Sequence, residues 1–537
     1  MKSDKDKCGK LQHIICKGIL VGYFLAMAVI YPFYIPGGYV RIGEVKYLFF
    51  RNVSLIMTGT VGTVTLLSVL IRRKSGWIVE YYRQMSVTDW FAYGYCLAVM
   101  LSYLCSDYKE NALWGTEGWY MGAMSQIMFV LVYFFFSRYF CGLGPMIERL
   151  FYVWLAAAAG VFILGICNRY SLYPITIEGQ TEAFISTLGN INWFCGYWSI
   201  MAPMGIMLYW CSDRRTGRIL SGIYSFIAML SGVTQGSNSA YIVLLAMLFL
   251  LLSLSVRRSQ KLYRFLELGM IFCMACQAGR LMQLIPGLAY NYHGFQAGEG
   301  SGITELIIFL IILGSYILFR VLEKKGYFCT PKNRWLRGIM VTVIVVVTCV
   351  VVFWLLVDEG FIFFREVPGT VERDGYLEAV WDEDWGNGRG ATWKCGVDAY
   401  RNMNTLHKFV GIGPDCFADY IYDVQELAKR MIDRFGTMRL TNAHNEWLTV
   451  LVNTGALGLF CYIGIFLTAF VSYLRKACCL RKGGEKSLMY VCAATLLAYT
   501  VHNMVSFQQV LSTPYVFIVL GLGEGLRRTS DHGTYGS

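Results

Sequence analysis

Charge is what this 537-residue chain lacks: only 15% of its residues are Asp, Glu, Lys or Arg, against 56% hydrophobic. Mean hydropathy is +0.47. Soluble domains carry about 25% charged residues, and a single soluble core stops growing near roughly 250–300 residues. A soluble enzyme, a disordered chain and a small disulfide scaffold are therefore excluded as classes. Other absences narrow the chemistry. There is no G-x-x-x-x-G-K-[ST] phosphate loop and no strand–Gly-rich loop–helix unit for a nucleotide. There is no H-E-x-x-H and no second C-x-x-C to give Cys273 and Cys276 a zinc spacing.

What is present is apolar sequence in long runs. A spanning helix needs about 20 mostly apolar residues. Such stretches run at 14–36, 47–71, 88–106, 118–140, 150–168, 191–210, 218–235, 238–256, 263–283, 303–321, 336–357, 446–474, 487–510 and 511–526. They lack the period-2 alternation of barrel strands. The sequence thus predicts an all-α polytopic membrane protein of about 14 transmembrane helices. Residues 1–357 hold helices 1–11, residues 358–445 form one large loop, and residues 446–537 hold helices 12–14 and a short tail. Thirty of the 47 Lys and Arg fall in alternate connections, among them Lys2, Arg72, Arg215, Arg257, Lys324, Arg475 and Arg527. The positive-inside rule then puts both termini in the cytoplasm and the large loop outside. The net charge of +12 is accounted for by topology and anionic lipid heads, with no need of nucleic acid.

Of the 18 cysteines, most lie in apolar stretches, where a thiol is a small hydrophobe. Cys395 and Cys416 share the large loop, and spacing does not decide whether they pair. That loop is rich in Trp, Asp, Glu and Arg and too long for a mere connection; 393–404 and 415–435 read as amphipathic helices. The run Trp381-Asp382-Glu383-Asp384-Trp385 offers oxygen ligands to a divalent cation but equally makes a solvated acidic turn. Polar groups gather at the same level: Asn190, Asn192, Gln235, Ser237, Asn238, Arg280, His293, Arg389, His444, Asn445, Glu446, His502, Asn503 and Gln508. Ionisable groups inside a membrane are costly, so their grouping points to an outward polar cavity. The alternative is an ordinary aqueous interface.

Three segments carry a resemblance. Gly189-Asn190-Ile191-Asn192-Trp193 leads into a helix with Ala202-Pro203. Gly388-Arg389-Gly390 runs through Trp393 to Gly411-Ile412-Gly413-Pro414 and Phe417. His444-Asn445-Glu446-Trp447-Leu448 precedes Thr454-Gly455-Ala456-Leu457-Gly458. In this order they resemble the O-antigen polymerase and ligase family of bacterial membrane glycosyltransferases, over about 189–466. The resemblance implies a multi-helix, GT-C-like fold in the bacterial cytoplasmic membrane. It also implies transfer of an undecaprenyl-diphosphate-linked oligosaccharide at the outer face, to a glycan or lipid acceptor. Neither nucleotide-sugar, metal nor other cofactor is implied, and further polysaccharide-assembly proteins are candidate partners. The family often has Ser-Arg where this chain reads Gly236-Ser237-Asn238-Ser239, so one expected cation is replaced by Asn238.

Within that reading the residue chemistry assigns roles. A guanidinium gives planar, permanent stabilisation to a leaving diphosphate, and Arg389 is the candidate. An acceptor hydroxyl must lose a proton, for which His444, or secondarily Glu446, is the candidate base, with contact to the diphosphate the alternative for His444. Asn190, Asn192, Asn238 and Asn445 are candidate substrate contacts, with helix capping the alternative for Asn190 and Asn192. Arg280 or Arg401 is expected to replace the missing cation. Two other functions compete: a carrier or flippase for a lipid-linked saccharide, and a non-catalytic assembly or sensor protein.

Overall fold

The computed structural model describes residues 2–72, 82–140, 145–237, 239–256, 259–288, 303–325, 338, 342, 363–367, 376–380, 383, 385–480 and 483–532. Helix dominates. Among the described residues the sheet is limited to two antiparallel pairs, Phe184–Ile185 with Gly189–Asn190 and Phe363–Val367 with Tyr376–Val380. Among the described residues, eight helices are long and apolar enough to cross a membrane: Gly9–Phe33, Ile42–Ile71, Ala123–Phe140, Met146–Arg169, Arg215–Thr234, Ser259–Gln283, Leu306–Lys324 and Glu446–Cys479. The stretches at 88–106, 191–210, 238–256, 487–510 and 511–526 also form helices, whereas 336–357, apart from Gly338 and Thr342, and His293 lie outside the described residues. One boundary differs materially from expectation. The helix expected at 487–510 spans Gly484–His502, and 503–512 is an irregular connection before the Thr513–His532 helix. Val505, Phe507, Val510 and Leu511 keep apolar side chains in the connection, so hydropathy alone runs across the break.

Local chemistry starts and anchors these helices. Ser86 and Asp89 form a reciprocal capping box at the head of Val87–Cys105. Asp89 is fully buried, accepts from Tyr133 Oη at 2.7 Å, and pairs with Arg138 and with Arg528. Arg528 also pairs with buried Glu524 at 3.0 Å. This ionic cluster pins the last helix to Val87–Cys105 and to the Phe136–Phe140 π-turn. Elsewhere, buried Lys46 donates to the carbonyls of Tyr31 and Pro32 at 2.5 and 2.9 Å, satisfying acceptors at the end of a helix.

Residues 385–445 fold into four short helices: Trp385–Asn402, Thr405–Val410, Phe417–Asp423 and Gln425–Phe435. Cys395, Ala399, Cys416, Phe417, Ile421 and Met431 make their own small core. Cys395 and Cys416 are both buried, free thiols, and burial pushes the Cys395 thiol up to about 11. The expected amphipathic segment 415–435 is two helices, divided at extended Val424.

The unit is seated on a break in the Glu446–Cys479 helix. Gly455, at φ 69°, interrupts the helical backbone, and the opened carbonyls are taken up by the neighbouring segment. Ile412 N donates to Val452 O at 3.3 Å and Gly413 N to Asn453 O at 3.0 Å; Ser102 Oγ also donates to Asn453 O. Glycine is required on both sides. A Cβ on Gly411 would lie 2.2 Å from Asn453 O, and one on Gly455 2.3 Å from Phe409 O. The two glycine motifs therefore serve a close backbone contact.

Candidate active site

Arg389 sits one residue beyond Gly388, whose φ of 87° bends the start of the Trp385–Asn402 helix. Thr392 Oγ1 bonds both Arg389 O and Ala443 O at 2.9 Å, tying the arginine's turn to the residue before His444. The guanidinium is largely enclosed, and burial lowers its affinity for the proton. It exerts its charge on His444, His502 and Cys195. These groups come from four distant parts of the chain.

His444 is held in the left-handed region at φ 49°. Its backbone N–H donates to Asn442 Oδ1 at 2.9 Å. Asn445 Oδ1 accepts from Leu448 N at 3.1 Å, capping the long helix. The ring meets Phe507 edge-on, with centroids 5.1 Å apart. His444 Nδ1 is buried with no hydrogen-bond partner among the described residues. Burial and the Arg389 charge press its pKa down to about 4, so the resting imidazole is neutral. Beside it, His502 Nδ1 lies 3.0 Å from Asn503 Oδ1, while His502 Nε2 and Asn503 Nδ2 are buried and unsatisfied among the described residues. An orphaned buried polar atom costs about 1–3 kcal/mol, so several together mark a place prepared for a polar ligand.

The Ile191–Cys211 helix supplies the next wall. Asn190 is its N-cap, Oδ1 accepting from Asn192 N at 2.8 Å, and Cys195 one turn on lies 3.1 Å from Ser239 Oγ. Asn238 lies outside the described residues. The turn beside it is gripped by Arg169, which is fully buried and donates twice to Gln235 O and once to Glu182 O. Arg280 lies in the last turn of Ser259–Gln283; its neighbour Gly279 accepts from Tyr170 Oη. Arg401 does not join the group. It lies twelve residues, about 18 Å, along the helix from Arg389, 74% exposed and 3.8 Å from Asp398.

Glu446 is buried, with Oε2 accepting from Gln508 N and its own N–H donating to Asn503 O at 2.8 Å. It borders a pocket of about 460 Å3, open mouth included, beside Asp415, Asn453, Trp119 and Phe507. Asp415 has φ 62°, and its Oδ2 accepts from Thr116 N at 2.8 Å and Met121 N at 3.0 Å. Enclosure by protein pushes its pKa up to about 7 against those two bonds. No group of three His, Cys, Asp or Glu converges as a metal site among the described residues. Of the acidic run, Glu383 is exposed and pairs with Lys394 at 2.5 Å, while Trp381, Asp382 and Asp384 lie outside the described residues.

Sequence reasoning missed Asp415 and Asn453 and gave His502 no role. Asp415 lies between two recognised motif residues, Pro414 and Phe417, so its position was the available signal.

A helical membrane protein with a cation, two imidazoles and unsatisfied amides in one enclosed group is of the kind that handles a polar, anionic substrate at the membrane. Residues 301–463 match the family described as O-antigen ligase, so this part of the chain is similar to that family. The match contains the Arg389 and His444 segments; the Asn190 segment lies upstream of it. No curated protein matches the chain.

Proposed function

We propose that this protein is a glycosyltransferase of surface polysaccharide biosynthesis, a polymerase in preference to a ligase. It would join oligosaccharides carried on undecaprenyl diphosphate at the outer face of the cytoplasmic membrane. The observation that carries the reading is the convergence of Arg389, His444, His502 and Cys195 on one enclosed place. In the orientation read from the basic loops, with both termini cytoplasmic, that place faces outward. Only lipid-linked donors reach it, so no nucleotide-sugar is involved.

In the reaction the acceptor hydroxyl oxygen attacks the anomeric carbon of the donor. The bond from that carbon to the diphosphate breaks, and the diphosphate leaves with the electron pair. Arg389 stabilises the charge that builds on it. The acceptor's proton passes to His444 Nδ1, which is neutral and has no hydrogen-bond partner among the described residues. A histidine pressed down to about 4 is a weak base at rest; a bound diphosphate offsets the Arg389 charge, the smaller of the two causes, and raises its basicity in part. The base thus becomes effective only with donor in place. Asn190, Asn192 and Asn238 are retained as candidate sugar or phosphate contacts.

The test is to incubate the purified protein with lipid-linked repeat units and resolve the products by length. A ladder supports the polymerase; a single transfer to a second acceptor supports the ligase. Arg389→Ala and His444→Ala should each abolish product at unchanged protein level, whereas Arg401→Ala should not. Normal chain length in the first two variants refutes the mechanism. Movement of intact lipid-linked saccharide without bond formation in proteoliposomes would favour a carrier instead.

A further inference from the structure

The pocket beside Glu446 differs in character from the Arg389 group. No Lys, Arg or His lines it. Its walls are the aromatic rings of Tyr95, Trp119 and Phe507, together with the carboxyl groups of Asp415 and Glu446. Asn453 is more than nine-tenths buried at its edge, with Oδ1 unsatisfied among the described residues. Asp415 Oδ2 carries both backbone bonds, and Oδ1 takes none among the described residues. Phe507 is shared: its ring meets both His444 and Trp119 edge-on, at 5.1 and 4.9 Å.

We infer that this pocket is a saccharide subsite holding an uncharged, hydroxyl-bearing ring of the acceptor, separate from the cationic place that takes the diphosphate. The inference rests on the glycosyl-transfer reading for the word acceptor. The saccharide itself follows from the pocket. An anion would find no cation to pair with among the described lining residues. A purely apolar ligand would leave Asn453 Oδ1 and the carboxyl oxygens unpaired in an enclosed site, at about 1–3 kcal/mol for each. A sugar ring answers both demands. Its hydroxyls donate to Asn453 Oδ1 and Asp415 Oδ1, and its C–H faces lie against Trp119 and Phe507. Phe507 places the occupant next to His444, where one hydroxyl can give up its proton. Asp415, held near neutrality, adds a group able to donate or accept.

The test uses the full-length protein in nanodiscs and two probes. One is the neutral repeat-unit oligosaccharide, freed of diphosphate by mild acid treatment of the host's own lipid-linked pool. The other is inorganic pyrophosphate. Saturation-transfer NMR reads the saccharide and 31P line broadening reads pyrophosphate. Asn453→Leu keeps the backbone carbonyl that seats Gly413, and Asp415→Asn keeps an oxygen for the Thr116 and Met121 N–H groups. Each should weaken saccharide binding at least tenfold and leave pyrophosphate broadening intact, which also shows that the variant is folded. Arg389→Gln should do the reverse. Absence of saccharide signal in the wild type, equal signal in both pocket variants, or loss of it in Arg389→Gln overturns the inference. Saccharide binding of the expected pattern in a protein that makes no product would leave the subsite standing and refute the transferase reading.

Discussion

The charge of Arg389 and the basicity of His444 are coupled, and the coupling can be measured without catalysis. His444 moves from an ordinary 6.5 to about 4 in the folded protein. At about 1.36 kcal/mol per pH unit, that is roughly 3 kcal/mol against the imidazolium. Burial is the larger cause and the guanidinium the second. Arg389→Gln removes only the second, so the midpoint should rise to between about 4 and 6.5, short of the free value. The chain has six histidines, few enough to resolve by 15N imidazole NMR, with His444→Gln identifying the signal. Pyrophosphate added to the wild type should move the midpoint in the same direction. Because the folded midpoint lies below the unfolded one, the unfolded state binds more protons between them. Stability should therefore fall as pH drops from about 6.5 to about 4, and His444→Gln should remove that slope. An imidazolium at pH 6 in the resting protein, or a midpoint indifferent to Arg389→Gln, refutes the reasoning.

Three further outcomes follow from geometry. Gly455→Ala forces a Cβ to within 2.3 Å of Phe409 O at φ 69°; it should cost at least about 1–3 kcal/mol and expose 405–413 to limited proteolysis. Asp89→Ala removes the buried carboxylate shared by Arg138 and Arg528 at the start of Val87–Cys105 and should destabilise by about 3–5 kcal/mol, read as a fall in Tm. Asp415→Asn removes a carboxyl whose folded pKa of about 7 stands above its ordinary 3.8. Wild-type stability should decline as pH rises between about 4 and 7, and the variant should lack that decline.

Much of the architecture is written in apolar runs, because a helix in lipid must be apolar over about 20 residues whatever its neighbours. The Arg389 and His444 segments were visible for a different reason: their motifs sit where backbone geometry is demanding, at Gly388, His444, Gly411 and Gly455. What sequence could not display is which distant groups share a space. His502 reads from sequence as sitting partway along the 487–510 stretch; in the structure it is a helix end turned against Asn503. Arg169 reads as one more loop cation, yet it is fully buried and spends its guanidinium on two carbonyls. Arg401 carries the same charge as Arg389 on the same helix and faces solvent. Only folding separates the two.

The hydrogen bonds from Ile412 and Gly413 to Val452 and Asn453 have an evolutionary corollary. The helix is open at Gly455 because residues 411–413 occupy its carbonyls, and those residues can approach because neither glycine has a side chain. Restoring a regular helix would evict the partner segment; lengthening that segment would leave the opened turn bare. The two stretches are therefore inherited as one unit, free to change together but not singly. Descendants of this chain should vary widely in the helices between 417 and 435 while keeping the 409–413 and 452–455 junction fixed in length.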